Sequence, residues 1–277
     1  MTTDLTHLST ITNKIAKYFA VGKVNARNSK IHWPNMFARS MAVVLRVWLF
    51  AQLYEVTYAE SGVTVINGFT VAMVVWSLMF AQSFDSASRP SPSQVIAEEV
   101  QNGTIAYSMS KPYSYISFHL WATVGRTLPV LLSNLIIGSL VTFILVGMTS
   151  ITWQGMLLGS INLLLGYILD FSIALMIGLS ALWLETVAGL VSIYHKARLV
   201  FSGLIVPVAL FPDFFQKLIL LSPFSQIYYS AAKQIVHFSW DDFFFSLSLQ
   251  IFWIITFITI SYIMFSYSLR RLSVNGG

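Results

Sequence analysis

The sequence predicts an all-α, polytopic membrane protein with six transmembrane helices. Hydrophobic residues make up 56% of its 277 residues and charged residues only 10%, whereas soluble domains carry about 25% charged residues. Apolar runs long enough to cross a hydrocarbon core of about 30 Å recur along the chain. The net charge of +5 comes from basic residues that lie mainly between these runs. The positive charge therefore indicates membrane topology and not nucleic-acid binding.

Six segments contain about 20 mostly apolar residues each, which is the length that a spanning helix needs. They lie near Phe37–Thr57, Val63–Phe84, Phe118–Val146, Met156–Trp183, Val187–Leu210 and Phe243–Tyr267. We expect a cytoplasmic tail at 1–35, a single transmembrane domain at 36–270 and a second tail at 271–277. The first 30 residues have no continuous apolar core, so we expect no cleavable signal peptide. No internal repeat is visible at a fixed period.

The placement of lysine and arginine predicts the orientation of these spans. One side holds Lys14, Lys17, Lys23, Arg27, Lys30, Arg89, Lys111, Arg126, Lys196, Arg198, Arg270 and Arg271. The opposite side holds only Lys217 and Lys233. Since cytoplasmic loops carry the excess of basic residues, both termini and the loops at 85–117 and 184–198 should be cytoplasmic. We expect the protein in the plasma (inner) membrane.

The N-terminal tail contains an amphipathic pattern at Leu8–Phe19. Its apolar side chains fall on one helical face, with Lys14 and Lys17 beside it. The pattern favours a helix lying in the headgroup layer. The alternative is a disordered basic tail.

The loop after the second segment carries its own helix signals. Ser91 is placed as an N-cap, Pro92 as the first helical residue and Gln94 as the third, while Gly103 can end the run. The helix between them carries Glu98 and Glu99. A capped helix beneath the membrane indicates a docking element, and the alternative is a solvated helix without a partner.

The stretch after the fifth segment is broken by proline. Ser202-Gly203, Pro207, Phe211-Pro212 and Ser222-Pro223 separate apolar pieces that are too short to span. This pattern predicts a re-entrant or interfacial hairpin on the outer face. Broken backbone at membrane depth is tolerated only where protein or a cavity covers it, so neighbouring helices should shelter this stretch.

Searches for catalytic and cofactor motifs find none in the chain. Gly22-Lys23 is followed by Val24 and does not form a P-loop, and neither H-E-x-x-H nor G-x-S-x-G occurs. There is no cysteine, and the five histidines are scattered. We therefore expect no metal or nucleotide site and no enzymatic activity in this chain.

Two ionisable residues, Arg46 and Asp170, lie well inside apolar segments. A charge at the bilayer centre costs about 2.5–3.5 kcal/mol on insertion scales, so each should face protein or a cavity. We favour a structural ion pair joining the first and fourth helices, and the alternative is a polar position on a substrate path. Small residues four apart, at Gly155/Gly159 and Ala174/Gly178, permit close helix packing.

Two stretches resemble the membrane subunit of ABC-2 type transporters. Glu98-Glu99-Val100-Gln101-Asn102-Gly103-Thr104-Ile105 through Lys111-Pro112 is similar to the E-x-x-x-G-T-(L/I)…(R/K)-P stretch of a subfamily of small permeases. The proline-punctuated residues 202–223 are similar to the region before the last helix across this superfamily. The resemblance extends over nearly the whole chain at the level of topology.

The resemblance implies an export permease driven by a separate ABC ATPase, which would bind ATP and Mg²⁺. A second permease subunit, identical or different, would complete the pathway within membrane lipid, with no nucleic acid involved. Coupling to the ATPase would involve Gln94, Glu98, Glu99 and Gly103. The external hairpin, with Pro207, Pro212 and Pro223, would close the outer exit. The alternatives are an ion-coupled secondary transporter or channel, and a membrane-embedded enzyme or assembly factor. A secondary transporter would more often show repeated halves and several intramembrane charges.

Overall fold

The computed structural model describes residues 2–89, 91–111, 113–184 and 186–275, without the side chains of 2–15, 30, 106, 109 and 268–275. Throughout this part of the chain the regular elements are helices, accompanied by one isolated bridge between Ile66 and Phe69. The all-α membrane fold predicted from composition is confirmed. The α-helices are α1 (Thr2–Ile31), α2 (Trp33–Ser61), α3 (Val71–Ala87), α4 (Pro92–Gln101), α5 (Ile105–Ser110), α6 (Tyr115–Val146), α7 (Trp153–Leu179), α8 (Ala188–Phe201), α9 (Asp213–Leu221), α10 (Tyr229–Val236) and α11 (Trp240–Asn275).

Four helical stretches in the described chain are long and apolar enough to cross a membrane. They are Trp33–Ser61, Tyr115–Val146, Trp153–Leu182 and Trp240–Tyr267. They correspond to the first, third, fourth and sixth predicted segments. The chain is thus a multi-pass membrane protein.

The second and fifth predicted segments form shorter helices. The second becomes helical only at Val71, because residues 62–70 turn back on themselves through Gly62 and Gly68, whose φ angles are 67° and 82°. The fifth is helical for 14 residues and ends at Phe201, two residues before Gly203 with φ 75°. The count of six spans therefore stays a prediction.

Helices α3 and α7 form the centre of the bundle. Every residue of α3 from Val74 to Ala87 is buried, and α7 is buried along most of its second half. The flanking helix α2 instead exposes Leu45, Leu49 and Leu53, which follow one another at four-residue spacing. Such an apolar outer surface is suited to lipid.

Glycines of α7 allow two other helices to approach its backbone. A Cβ added to Gly166 would lie 2.1 Å from the carbonyl oxygen of Ile227, and one on Gly159 would lie 2.5 Å from Ile235 Cγ1. These contacts place α10 and the residues before it against α7. At the other end of α7, a Cβ on Gly178 would lie 2.8 Å from Cβ of Ile96 on α4. The small residues at 155, 159 and 178 thus provide the close packing that their spacing predicts.

The predicted amphipathic segment Leu8–Phe19 is part of the longer helix α1, which packs against α6. The Ser114 amide donates to the Tyr18 hydroxyl at 2.9 Å. Farther along α1, the two helix backbones come into close contact. A Cβ added to Gly125 of α6 would lie only 2.1 Å from the carbonyl oxygen of Gly22. The side chains of residues 8–15, including Lys14, lie outside the described part of the chain.

Candidate functional site

Helix α4 forms where the sequence predicts it. Ser91 takes the N-cap position with extended backbone angles, Pro92 is the first helical residue, and Gly103 has a φ of 71° just beyond the end. The Ser91 hydroxyl bonds the Ser93 hydroxyl at 2.8 Å and makes no side-chain cap hydrogen bond. Pro92 at the start and the left-handed Gly103 after the end therefore bound the helix.

The two faces of α4 have different surroundings. Ile96 and Ala97 are buried and face the bundle, where Gly178 of α7 receives Ile96. Gln94 and Glu98 are exposed and lie one turn apart on the outer face. A helix seated against backbone on one side and open on the other is suited to receive a docking partner.

Glu99 lies on the side of α4 that faces α6. The Tyr115 hydroxyl donates to its Oε2 at 3.0 Å, and Nε2 of His119 lies 3.3 Å from the same oxygen. Burial acts to raise the pKa of Glu99, but His119, Tyr115 and the Lys111 ammonium together lower it below its ordinary value. Of the predicted coupling residues, Gln94 and Glu98 face outward, while Glu99 joins α4 to α6. Pro112 of the motif lies outside the described residues.

Three ionisable side chains meet inside the bundle. Arg198 of α8 places Nη1 2.7 Å from Asp170 of α7 and Nη2 2.7 Å from Asp85 of α3. The three side chains are only 3–4% exposed. The Tyr194 hydroxyl donates to Oδ1 of Asp170, the oxygen that Arg198 also contacts. We call Asp85, Asp170, Tyr194 and Arg198 the charge cluster.

The cluster extends toward one end of the bundle through Arg89. Its Nη2 lies 3.3 Å from the second oxygen of Asp85, and its side chain is 60% exposed. Each buried carboxylate thus has a cationic partner, as burial of charge requires. The cluster ties α3, α7 and α8 together.

The predicted ion pair between Arg46 and Asp170 is wrong. Asp170 pairs with Arg198, and Arg46 donates from Nε to the carbonyl oxygen of Ala42 in its own helix at 3.0 Å. Asp85 and Asp170 both face α8. Tyr194 and Arg198 are four residues apart, so they lie on the same face of α8, and this face meets the two aspartates. Asp170 does face protein, as its intramembrane position predicts.

Sequence reasoning missed Asp85 and Arg198 as members of a buried site. Arg198 was counted among the basic residues of the loop at 184–198, although it also falls in the predicted fifth segment, and the structure buries it in α8. Asp85 directly follows the predicted second segment. The signal that could have found them is the i, i+4 spacing of Tyr194 and Arg198 beside an apolar run, together with an aspartate that ends another run.

The broken backbone after α8 is sheltered by side chains of α2 and α3. Gln82 of α3 donates from Nε2 to the carbonyl oxygen of Leu204 at 2.6 Å, and the Tyr54 hydroxyl of α2 donates to that of Ile205 at 3.1 Å. Without these donors, the two carbonyl oxygens left free by the end of α8 would have no partner inside the bundle. The predicted sheltering by neighbouring helices is confirmed here.

The same shelter continues around α9 and α10. Pro207 precedes a 3₁₀ turn at Val208–Leu210, Pro212 precedes α9, and Pro223 follows it. Gln250 of α11 donates to the carbonyl oxygen of Gln226 at 2.8 Å, and the Trp253 indole donates to that of Leu221 at 3.1 Å.

The two helices of this hairpin differ in burial. Helix α10 is buried against α7 and α3 along nearly its whole length. Helix α9 instead exposes Phe214, Phe215, Leu218 and Leu221. One arm of the hairpin therefore belongs to the bundle core, and the other presents an apolar outer surface.

Comparison with known proteins bears on the chain as a whole. The family model described as "ABC-2 family transporter protein" matches residues 46–276. The match includes α3 through α11, and with them both α4 and the charge cluster. No curated protein matches the chain. Among the described residues, no group of three or more histidine, cysteine, aspartate or glutamate side chains could hold a metal ion.

Proposed function

This chain belongs to the ABC-2 transporter family, and from that premise we propose that it is the permease subunit of an ABC exporter. As a family of multi-pass transport domains, ABC-2 permeases generally lack an ATPase site of their own and associate with an ABC ATPase. In the proposed complex, ATP and Mg²⁺ bind to that partner. A second permease subunit, identical or different, completes the pathway.

The observation that carries the proposal is the seating of α4 on α7. A Cβ on Gly178 would lie 2.8 Å from Ile96 Cβ and 3.1 Å from the Ser93 carbonyl oxygen. Because the contact involves backbone and a Cβ, no flexible side chain can absorb a displacement of α4. A push on the outer face, at Gln94 and Glu98, would therefore reach α7.

From α7 the displacement has a further route through the charge cluster. Asp170 lies on α7, eight residues before Gly178, and is bound to Arg198 of α8. Helix α8 leads directly into the broken stretch that begins at Ser202. We propose that this route connects the ATPase to the hairpin with Pro207, Pro212 and Pro223, which closes the exit at the opposite end.

The proposed orientation places the α4 end in the cytoplasm. The basic residues at that end, among them Arg39, Arg89 and Arg126, support it through the positive-inside rule. Both tails are then cytoplasmic, residues 36–270 act as one transmembrane domain, and the membrane is the plasma membrane.

The charge cluster is the one feature that favours the alternative of an ion-coupled transporter. Buried carboxylates are typical of ion pathways. Here, however, Arg198 contacts both Asp85 and Asp170 at 2.7 Å, which suits a fixed structural junction. In an ion-coupled transporter, Asp170→Asn abolishes transport that persists after ATP depletion. In the exporter, ATP depletion alone stops transport.

The experiment is co-purification with a candidate ABC ATPase from the same organism, followed by ATP hydrolysis in lipid discs. We expect Glu98→Lys to lose the ATPase without lowering the thermal unfolding midpoint, because Glu98 is exposed. The matched control is Asp213→Lys, the same charge change at an exposed residue of α9, which should keep the complex. If Glu98→Lys retains both the complex and transport, α4 is not the docking element.

A further inference from the structure

Three arginines line one cavity at the α4 end of the bundle: Arg39 of α2, Arg126 of α6 and Arg89, two residues after the end of α3. The cavity has a volume of about 150 Å³, and its polar lining comprises Arg39, Arg89 and Arg126 with Ser29, His32 and Asn35. We call it the arginine pocket. It lies at the elbow where α1 ends at Ile31 and α2 begins at Trp33.

Hydrogen bonds fix the walls of this pocket. Arg39 donates from Nη1 to the carbonyl oxygen of Arg89 at 2.6 Å, and the Ser29 hydroxyl donates to the carbonyl oxygen of Arg126 at 3.2 Å. Arg126 in turn donates from Nη2 to the Thr123 hydroxyl at 3.3 Å. The Arg39 guanidinium is thereby tied to the backbone after α3, and α1 is tied to the α6 backbone at Arg126, beside the same cavity.

The pocket carries an excess of positive charge. Of its three arginines, Arg89 has a carboxylate partner, Asp85, at 3.3 Å. That carboxylate is already bound by Arg198 at 2.7 Å through its other oxygen. Arg39 and Arg126 bond only neutral oxygens among the described residues. A guanidinium has five N–H donors and pairs well with phosphate, often through two parallel bonds.

The arginines lie about one hydrocarbon thickness from the far ends of α2, α3 and α6, a distance that suits contact with lipid headgroups. A hydrocarbon core of about 30 Å corresponds to roughly 20 helical residues. The far ends of α2, α6 and α3 are at Ser61, Val146 and Val71. A position about 20 residues from each of these ends lies within one helical turn of Arg39, Arg126 and Arg89, respectively. Trp33, 67% exposed at the start of α2, is placed as an interfacial anchor.

We propose that the arginine pocket binds the phosphate of an anionic phospholipid headgroup in the leaflet at the α4 end. Basic pockets between transmembrane helices suit such headgroups. The three guanidinium groups bind the phosphate, and the Asn35 amide supplies a neutral donor. A zwitterionic headgroup would bring its own cation beside three arginines, so the pocket selects a headgroup with net negative charge.

The surroundings of the pocket favour a lipid over free phosphate. Exposed apolar side chains occur within two residues of the lining residues in sequence, at Phe37 and Met41 of α2 and at Leu128 of α6. Acyl chains attached to the bound phosphate can lie along these side chains. The site requires only that the protein spans a membrane, so it is independent of the proposed export function.

Native mass spectrometry of the purified full-length protein tests the proposal. The probes are phosphatidylglycerol and phosphatidylcholine with identical acyl chains, and inorganic phosphate alone. We expect wild-type protein to retain phosphatidylglycerol preferentially, and Arg39→Gln/Arg126→Gln to lose about tenfold of that preference. The matched control, Lys23→Gln/Arg27→Gln, removes the same charge from exposed positions of α1 and should keep it.

Three outcomes overturn the proposal. They are equal retention of the two lipids by wild type, an equal loss in the control, and binding of inorganic phosphate as tight as that of phosphatidylglycerol. The last result would assign the pocket to a soluble anion. Where the double variant fails to fold, the single variant Arg39→Gln keeps the Arg126 contact to Thr123 and serves in its place.

Discussion

Arg198 on α8 and Asp170 on α7 are joined by a 2.7 Å ion pair inside the bundle, 28 residues apart in sequence. The same guanidinium binds Asp85 of α3 with its other terminal nitrogen. One cation therefore connects three helices. In the sequence, Arg198 lies between Gly178, where α4 contacts α7, and Ser202, where the broken stretch begins.

Substitution of Arg198 should destabilise the protein more than substitution of either aspartate. Arg198→Gln leaves two buried carboxylates without their shared cation, whereas Asp170→Asn leaves Arg198 paired with Asp85. Removing one partner of a buried ion pair costs about 3–5 kcal/mol. Thermal unfolding in detergent, followed by size-exclusion chromatography, measures the difference.

Arg46→Gln is the matched control for that series. Arg46 bonds a carbonyl oxygen of its own helix, so its loss should change the unfolding midpoint little. Equal midpoints for Arg198→Gln and Arg46→Gln would contradict the assignment of Arg198 to the charge cluster.

Gly166→Ala should weaken the packing of the hairpin on α7. The added Cβ would lie 2.1 Å from the carbonyl oxygen of Ile227, so backbone must move. Overpacking of this kind costs roughly 1–3 kcal/mol. Gly189→Ala is the control, since a Cβ there meets no atom within 4 Å. The thermal midpoint should fall for the first variant and stay for the second. A neutral Gly166→Ala would show that the hairpin is not seated against α7 in this way.

Gly178→Leu should uncouple ATP hydrolysis from transport. Its side chain would displace Ile96 and the Ser93 backbone, so α4 would lose its seat on α7. The exposed residues Gln94 and Glu98 remain available to the ATPase. We expect the complex to form and to hydrolyse ATP, while substrate transport falls. Normal transport by this variant would exclude the α4–α7 contact as the route of coupling.

The attachment of α4 to α6 should weaken in acid. Since the pKa of Glu99 is lowered in the folded protein, the ionised carboxylate stabilises the fold at pH values above its ordinary pKa. That contribution is lost as pH falls through the lowered pKa. The unfolding midpoint of wild type should therefore fall on acidification, and Glu99→Gln should reduce this dependence. Equal slopes for the two proteins would show that Glu99 does not contribute to it.

The orientation can be tested with single cysteines, because the chain contains none. Glu98→Cys on α4 and Asp213→Cys on α9 are both at exposed positions. With an impermeant thiol reagent on sealed cells, we expect Asp213→Cys to react from outside and Glu98→Cys to react only after lysis. The reverse pattern would invert the proposed topology.

Local signals in the sequence were sufficient for the helix around Glu98. Pro92 at the start and Gly103 after the end depend only on backbone geometry, and both occupy the expected positions. The break after Phe201 was also predictable, because glycine and proline interrupt the apolar run there. Broken backbone in such a run needs cover from neighbouring helices.

The partner of Asp170 was not predictable in the same way. The sequence indicated that a buried aspartate needs a cation, and Arg46 was chosen because it lies inside another apolar segment. The actual partner depended on which face of α8 meets α7, which only the packing of whole helices determines. The arginine pocket was hidden for the same reason, since Arg39, Arg89 and Arg126 are far apart in sequence.

The sequence by itself determined that the chain is a helical membrane protein, because apolar composition and run length fix the solvent that its surface can face. It also located the helix around Glu98 and the proline-broken stretch before the last helix. Only the tertiary structure decided which charges meet, that Glu98 faces outward while Glu99 faces α6, and that α7 receives both α4 and α10. These relationships depend on contacts between residues distant in sequence, and periodicity within one helix carries no information about its neighbours.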